Sequence, residues 1–452
     1  MAAISIINTN DFHYLIDFDA EHYHPDRLSS YSRLKKQGNK VIADYFDNIV
    51  ELCNADNIHE LSTVFDLTDA IGYFLGNGEI CVEINSTKKI AKPGDVIVSR
   101  LRSYLQELCL IPEQRRDFRP LLSTEFIVLR SRDDSCAAWL LPFLLSKDVQ
   151  TVLHWAQTGS NHPRFSIHTL MNIPIPEKVL SLRNELSKIV NNAVQRYERS
   201  RLLYPEAEAE LLDRMGWVKL ARKQELSYIE KFNEIQKQGR YDAEYFHPQY
   251  KRLQRHLLEI GAKQIASFCA VPTRGIQPEF VENGDVLVID SKAVRPQGVD
   301  LSLADRTDSA FYEQDSTEKA RLREGDVLLN STGRGTLGRA TFYNFDEKAI
   351  VDNHVAIIRT NRGICLPVYL SLFLNSPAGL AQSEMFQTGS SGQLEVYPQH
   401  IMQYLIYLPE KERGYVDLKW QEKIANKVIQ ASNTKSEVQT LIDKAKKIIE
   451  DL

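Results

Sequence analysis

The sequence predicts a mixed α/β (α+β) fold made of two similar globular modules, each followed by a long helix. Two observations indicate this: short segments recur in the same order along the chain, and a heptad pattern covers its C-terminal part. The chain has 452 residues, of which 43% are hydrophobic and 25% are charged. This composition is ordinary for a globular protein with one to three domains.

Four segments of the first half recur in the second half at offsets of about 223 to 233 residues. The pairs are DAEHYHP from Asp19 with DAEYFHP from Asp242, PGDVIV from Pro93 with EGDVLL from Glu324, QTGS from Gln157 with QTGS from Gln387, and Ile-Pro at Ile173 and Ile175 with Leu-Pro at Leu408. The period is far longer than that of a solenoid repeat. Because the order is kept throughout, we interpret the pattern as an internal duplication; the alternative is a set of coincidental short matches.

Within each module the pattern predicts short buried strands and short helices. The strands are expected at 95–99, 126–130, 326–330 and 355–359, and the helices at 137–145 and 367–374, ending near Ser146 and at 375–377. We expect domain boundaries at 1–176 for the first module, 177–226 for the first helical region, 227–409 for the second module and 410–452 for the second helix.

A heptad seam defines the second helix. It comprises Ile424, Val428, Ala431, Lys435, Val438, Ile442, Ala445 and Ile449, with Lys435 as its polar break. The first helical region has a weaker seam at Leu182, Leu186, Ile189 and Ala193, which is interrupted at Arg196 and Ser200 and resumes at Leu203 and Ala207. Pairing the two helices would bury both seams; alternatively, each helix packs on its own module.

The stretch NSTGRGTLGR, from Asn330 to Arg339, contains G-x-G-x-x-G, a pattern that can mark a dinucleotide-binding turn. Such a turn requires a helix after the glycines. Here the next residues, ATFY, are β-branched and aromatic, and the corresponding place in the first half, SRLRSYL from Ser99, has no glycine. We therefore predict a glycine-rich β–β turn.

The loops after these strands share hydroxyl groups and arginines. Arginine donates bidentately to phosphate or to guanine, Ser and Thr can contact either, and Asn or Gln can read adenine. The candidate DNA-binding residues are Arg100, Arg102, Ser103, Asn161, Arg164, Ser331, Thr332, Arg334, Thr336, Arg339, Ser390, Ser391 and Gln393. The alternatives are ordinary exposed turns with solubilising charge and, for Asn161 and Gln393, capping of the next element.

Motifs for catalysis are absent from the sequence. It contains no Pro-Pro dipeptide of amino-group DNA methylases, no Gly-Lys-Ser/Thr P-loop and no G-x-S-x-G elbow. The repeated His-Pro pairs, His24-Pro25 and His247-Pro248, favour a structural role over metal binding or acid–base chemistry. The triplet Asp352-Asn353-His354 is either a plain turn, which we favour, or a loop facing a site.

Bulk properties exclude several classes of protein. The six cysteines never approach C-x-x-C spacing, which argues against a zinc site and fits a reducing cytoplasm. The longest apolar run, 136–145, is far too short for a membrane span, and the N-terminus lacks a secretory signal. The net charge of -5 argues weakly against nucleic acid, although phosphate binding needs only a local basic surface.

Together these motifs resemble the specificity subunit of type I restriction-modification systems. The residues that carry the resemblance are GDVLLNSTG from Gly325 with Gly338-Arg339, TGSSGQ from Thr388, and the two DAE-x-x-HP openings. The resemblance covers essentially the whole chain through its module-helix-module-helix order. The first half departs from the pattern at 100–105 and 161–165.

The resemblance implies that each module is a target-recognition domain for one half of a split DNA site, and that the helices form an antiparallel coiled coil. A helix of roughly 30 residues is about 45 Å long, which suits half-sites somewhat more than one DNA turn apart. It implies a non-catalytic chain with no cofactor of its own and two DNA methyltransferase (modification) subunits as partners. They bring S-adenosylmethionine, and restriction subunits hydrolyse ATP. The alternatives are a stand-alone DNA-modifying enzyme and a protein-interaction scaffold that never binds DNA.

Overall fold

The structure is a computed structural model that describes two compact units of the chain. It describes residues 21–54, 62–70, 73–76, 78–81, 84, 86–101, 103, 106–113, 115, 119–133, 137–217, 227–389, 394–411 and 414–452. The first unit extends to Arg199 and also includes Thr434–Leu452, and the second unit is Ser200–Asn433. The domain boundaries expected from the sequence stay a prediction.

Both units contain α-helices and β-strands, so the fold is of the mixed α/β (α+β) class. The helices are α1 Pro25–Gln37, α2 Ile42–Tyr45, α3 Leu140–Leu145, α4 Lys147–Trp155, α5 Ile167–Met171, α6 Glu177–Ser200, α7 Leu203–Arg214, α8 Phe232–Gln238, α9 Pro248–Glu259, α10 Ser309–Tyr312, α11 Pro367–Asn375, α12 Pro377–Phe386, α13 Pro398–Ile401 and α14 Leu418–Glu450. Short 3₁₀ helices cover Glu21–Tyr23, Leu67–Ala70, Ala137–Trp139, Ile265–Ser267, Leu301–Leu303 and Asp315–Ala320. Of the described helices, none is both long and apolar enough to cross a membrane.

The strands are short, and many of them are buried. Those of the first unit are β1 Lys40–Val41, β2 Phe46–Ile49, β3 Leu52–Cys53, β4 Ser62–Phe65, β5 Tyr73–Phe74, β6 Glu79–Cys81, β7 Lys88–Ile90, β8 Val96–Ser99, β9 Leu108–Leu110, β10 Leu121–Leu122, β11 Phe126–Ser131, β12 Gln157–Thr158, β13 Arg164–Phe165 and β14 Pro174–Ile175. Those of the second unit are β15 Lys263–Gln264, β16 Thr273–Arg274, β17 Val286–Ile289, β18 Val294–Arg295, β19 Gly298–Val299, β20 Asp305–Thr307, β21 Val327–Asn330, β22 Ala340–Phe342, β23 Ala349–Val351, β24 Val355–Ile358 and β25 Leu405–Ile406. The strands and helices predicted from the sequence are present within a few residues of their expected bounds.

A matching central sheet is built in each unit. Its strand order is β2-β11-β8-β9-β5 in the first unit and β16-β24-β21-β22 in the second. In both, the strand that follows the Gly-Asp turn is antiparallel to its two neighbours, β11 and β9 for β8, and β24 and β22 for β21. A separate two-stranded ladder, β1 with β14 and β15 with β25, also recurs. The chain is therefore an internal duplication in structure as well as in sequence.

The aspartate of the repeated Gly-Asp turn forms the same buried ion pair in both units. Arg130 donates from Nε and Nη2 to Asp95 at 2.8 and 2.7 Å. Arg359 donates from Nε and Nη2 to Asp326 at 2.8 and 3.0 Å. Both aspartates are almost completely buried, at 1% and 3% exposure. The bidentate geometry fixes the turn to the neighbouring strand, which explains why both modules keep aspartate there.

The His-Pro pairs of the repeated opening are helix N-caps. The Nδ1 atoms of His24 and His247 each accept a backbone N–H two residues later at 3.3 Å, and the prolines begin α1 and α9. Proline is favoured at the first helical position because its missing N–H is not needed there. The structural role favoured from the sequence is confirmed for these pairs; Asp19 and Ala20, which open the first motif, lie outside the described residues.

The first helical region consists of two helices rather than one. Helix α6 ends at Ser200 and α7 begins at Leu203, so the region breaks where Arg196 and Ser200 interrupt the apolar seam. The expectation of a single long helix is wrong here, because the seam lacks apolar residues at its middle. Residues 218–226 of this region lie outside the described part of the chain.

Helix α14 is continuous, and its apolar seam is buried as predicted, with Lys435 exposed. In the second unit, Ile424 and Val428 share an apolar cluster with Leu211 of α7. In the first unit, Ile442 shares one with α6 residues such as Leu186.

Ion pairs show the direction of α7 relative to α14 in the second unit. Lys427 contacts Glu206 at 3.1 Å, and Arg214 contacts Asp417 at 3.2 Å, so the two segments run antiparallel. The coiled coil itself stays a prediction.

Candidate nucleic-acid interface

The glycine-rich stretch of the second unit is a tight turn between β21 and β22. The N–H groups of Asn330 and Gly338 donate to the carbonyls of Arg339 and Asn330, at 2.8 and 2.9 Å. Gly333, Gly335 and Gly338 have φ of +100°, +84° and +82°, a region that other residues rarely adopt. The glycines therefore serve a β–β turn, as the sequence predicts.

Few side chains of this turn face solvent. Ser331 is fully buried, and its hydroxyl donates to the His354 carbonyl at 3.0 Å. The Thr336 hydroxyl donates to the Thr332 carbonyl at 3.1 Å. Ser331 and Thr336 thus hold the turn together, while Arg334 is exposed. Because the hydroxyls of Ser331 and Thr336 already donate within the turn, Arg334 is the better candidate for contact with a ligand.

Three arginines around the turn have no acidic partner among the described residues: Arg295, Arg334 and Arg339. Arg295 belongs to the β18–β19 hairpin, which lies against β22. Burial and the positive charge of Arg295 both lower the pKa of the Arg339 guanidinium. A group of positive charges without a neighbouring carboxylate favours the binding of an anion. Sequence reasoning missed Arg295, because it comes from a hairpin distant in the chain.

A polar cleft of about 230 Å³ opens beside the same turn. Thr332 Oγ1 lies 2.6 Å from His354 Nδ1 across the cleft, and Arg274 Nη1 lies 2.5 Å from Glu395 Oε1. Asp352-Asn353-His354 is a turn between strands, and Asn353 and His354 line the cleft, so the site-facing alternative describes it better. Burial raises the pKa of the neighbouring Asp352 to about 6.

In the first unit the candidate arginines are bound to a carboxylate. Arg164 donates from Nε and Nη2 to Glu125, the closest contact being 2.7 Å, and Arg100 donates from Nε to Glu125 at 3.0 Å. The pKa of Glu125 falls to about 2, chiefly because of the hydrogen bond from Arg164 and also that from Arg100. The ammonium of Lys89 donates to the Phe126 carbonyl at 2.5 Å. Burial and the charge of Arg100 lower the pKa of Lys89, and the charge of Glu125 raises it.

The remaining candidates are divided between described and undescribed residues. Ser103 is buried and accepts a hydrogen bond from Gln157, and Asn161 is exposed. Arg102, Ser390, Ser391 and Gln393 lie outside the described residues. Within the described ranges, no group of three or more His, Cys, Asp or Glu side chains is arranged to hold a metal ion.

The two sites are built on the same backbone frame. In the first unit, the N–H of Arg100 donates to the Glu125 carbonyl at 3.2 Å; in the second, the N–H of Ser331 donates to the His354 carbonyl at 2.8 Å. Both donors directly follow the Gly-Asp strand, and both acceptors directly precede its partner strand. Arg100 therefore corresponds to Ser331, and Glu125 corresponds to His354.

The third backbone segment repeats in the same way. The residue after Arg164 donates its N–H to the Arg100 carbonyl at 3.2 Å, and the residue after Glu395 donates to the Ser331 carbonyl at 2.9 Å. Arg164 therefore corresponds to Glu395. We call each set a rim trio: Arg100, Glu125 and Arg164 in the first unit, and Ser331, His354 and Glu395 in the second.

Comparison with known proteins finds similarity among solved structures alone. No family model and no curated protein matches the sequence. The chain is similar to the type I restriction-modification S subunit from M. genitalium (12% identity, 91% of this chain and 93% of that chain, TM-score 0.41). It is similar to the HsdS subunit from Thermoanaerobacter tengcongensis (13%, 91% and 94%, TM-score 0.28). A chain from a study of complex assembly and conformational transition in the type I R-M system is a third (16%, 91% and 96%, TM-score 0.29).

Proposed function

We propose that this chain is the non-catalytic specificity subunit of a type I restriction-modification system. It binds double-stranded DNA at a bipartite target, one half-site for each module, and directs adenine methylation and restriction by its partner subunits. The observation that carries the proposal is the rim trio, built twice on one backbone frame with different side chains. A backbone frame that is duplicated while the side chains placed on it differ suits two modules that recognise different short sequences.

Local charge supports DNA as the ligand. Arg295, Arg334 and Arg339 form a cationic surface around the glycine turn, and no described carboxylate neutralises it. Phosphates bind such a surface and release their counterions, so affinity depends steeply on salt. The overall charge of -5 does not oppose this, because binding depends on the local surface.

Partner subunits supply the chemistry in this proposal. The sequence contains neither a P-loop nor the Pro-Pro motif of amino-group methylases. Two modification subunits would bring S-adenosylmethionine and restriction subunits would hydrolyse ATP in the cytoplasm, while this chain binds neither cofactor. Co-purification with a modification subunit, followed by mapping of methylated adenines in genomic DNA, tests the partnership and reveals the target.

Salt-dependent binding of the chain to labelled duplex DNA tests the DNA-binding role. Replacing Arg334 or Arg339 by alanine should each lower the slope of log K against log salt by about 0.9, the value for one lost phosphate contact. Arg255→Ala is the matched control, because Arg255 is exposed on α9 and makes no ion pair with the described residues. Absence of salt-dependent binding, or equal losses in all three variants, would refute the proposal.

The bipartite target has its own test. Exchanging residues from about Arg240 to Pro409 for those of a relative should change one half-site of the methylated sequence and leave the other half unchanged. A change in both halves would contradict the assignment of one module to one half-site.

A further inference from the structure

We propose that Arg100 reads a guanine in the half-site of the first module and that Glu125 is the residue that positions it. The inference rests on the proposed DNA-binding function and deepens it, because it names a specificity-determining residue and the base it selects. It is carried by the hydrogen-bond geometry of the first rim trio.

The free donors of Arg100 form a recognition edge. Arginine has five N–H donors on three nitrogens. Glu125 accepts from Nε of Arg100 at 3.0 Å, and the Nη1 and Nη2 atoms of Arg100 have no partner among the described residues. In Arg164, by contrast, Nε and Nη2 bind Glu125, and Nη1 donates to the His162 carbonyl at 2.8 Å. Arg100 thus presents two parallel donors, the pattern that guanine O6 and N7 accept.

The backbone of Arg100 is as restrained as its side chain. Its N–H donates to the Glu125 carbonyl, and its carbonyl accepts the N–H of Phe165, both at 3.2 Å. An arginine whose backbone and side chain are both held by hydrogen bonds loses little conformational entropy when it binds a ligand. This favours discrimination between bases. Because the side chain is 38% exposed, its free edge is accessible to a ligand.

The Arg100–Glu125 pair is not required by the fold. In the second unit the corresponding residues are Ser331 and His354, and the same backbone hydrogen bond forms there at 2.8 Å. The frame therefore tolerates a small hydroxyl and an imidazole at these two positions. A charged pair that the frame does not need, placed on its rim, points to a role in binding.

Glu125 also favours a base over a phosphate as the ligand of Arg100. Arg100 and Arg164 both hydrogen-bond to the Glu125 carboxylate, whose negative charge would repel a phosphate placed at Arg100. A guanine edge is neutral and lacks this penalty.

Selection of the full-length chain on randomised duplexes tests the inference. The wild type should select a guanine at one position that Arg100→Lys loses, with a drop in preference on the order of tenfold or more. Lysine keeps the charge but lacks the planar fork, so the salt slope should stay unchanged. Arg100→Gln should shift the preference at that position toward adenine, which glutamine reads through N6 and N7.

The Glu125→Gln variant tests whether Glu125 positions Arg100. It should relax the same guanine preference and raise the salt slope, because the released arginines become available to phosphates. The matched control for Arg100→Lys is Arg132→Lys, since Arg132 donates from Nε to a carboxylate, that of Asp47, at 2.8 Å in the same unit. This control should alter no base preference.

The outcomes distinguish the inference from the function on which it rests. If the wild type shows no salt-dependent binding to duplex DNA, the proposed function fails and the inference fails with it. If the wild type selects a bipartite sequence while Arg100→Lys, with unchanged thermal unfolding, keeps every base preference, the inference alone is overturned. An unchanged guanine preference in Glu125→Gln would remove the positioning role.

Discussion

The two rim trios use one frame and carry opposite charges. In the first unit, two arginines surround Glu125; in the second, the position of Arg164 is held by Glu395, which binds Arg274 of β16 instead. The backbone hydrogen bonds between the segments are nevertheless the same. The core and the main chain therefore determine this fold, whereas the side chains of the rim trios differ between the units.

Free arginines show a second contrast. In the first unit, the described arginines of the rim are held by a carboxylate, while Arg295, Arg334 and Arg339 of the second unit have no acidic partner among the described residues. Under the proposed function, the first module contributes base discrimination, and the second contributes a larger share of the phosphate binding. In sequence the loops of the two units look alike, since both contain hydroxyl groups and arginines.

The largest effect that we expect concerns the aspartate–arginine ion pair that both units share. Asp326→Ala and Asp95→Ala should each destabilise their unit by about 3 to 4 kcal/mol, because each leaves a partly buried arginine without its bidentate partner. Urea unfolding of the full chain measures this. Asp47→Ala, which removes an exposed pair with Arg132, should cost less than about 1 kcal/mol. Clearly unequal losses at the two aspartates would break the equivalence of the units.

A smaller expected effect is a pH dependence of stability that Asp352 gives to the second unit. Asp352 is buried with a pKa of about 6, above the value of about 3.9 expected in the unfolded chain. The fold therefore favours the protonated acid, and stability should fall by about 2 kcal/mol as pH rises from about 4 to about 6. The first unit has Ser123 at this position, which accepts the N–H of Glu125 at 3.4 Å as Asp352 accepts that of His354 at 3.0 Å.

Asp352→Ser therefore transplants the residue of the first unit into the second. It should abolish this part of the pH dependence and leave the turn intact. Urea unfolding of wild type and variant at pH 4.5 and 6.5 measures the difference. If both proteins show the same pH dependence, burial of Asp352 does not determine it.

The smallest expected effect concerns the helix caps. His24→Ala and His247→Ala should each cost about 1 kcal/mol, since each removes a side-chain acceptor at a helix N-terminus. Hydrogen exchange of the first turns of α1 and α9 measures the loss locally. The ring of His24 stacks on Trp155 with centroids 3.5 Å apart, whereas the ring of His247 contacts Tyr228 and Tyr250 edge-on at 5.7 and 6.1 Å, so the larger of the two losses is expected at His24. Equal losses would show that stacking contributes little.

The sequence contains most of the information about the fold and only part of that about the site. Duplication, the Gly-Asp strands and the seam of α14 are local or periodic patterns, so they could be predicted. The arginines at Arg274 and Arg295 could not, because strand pairing brings them to the turn from distant segments. Glu125 had a usable signal: it stands directly before a predicted strand, as His354 does in the second module. The break after Ser200 was visible as a polar interruption, but its effect on the helix depends on packing.

Helix α14 supplies core residues to both units, and this affects the order in which the protein can fold on the ribosome. When residues up to Arg199 have emerged, Ile442 and Ala445, which complete the apolar cluster of that unit, have not yet been translated. All of Ser200–Asn433 must be synthesised first. The apolar cluster of the first unit can therefore be completed only after the second unit has been synthesised, and nascent chains that stop before α14 lack the residues that complete it.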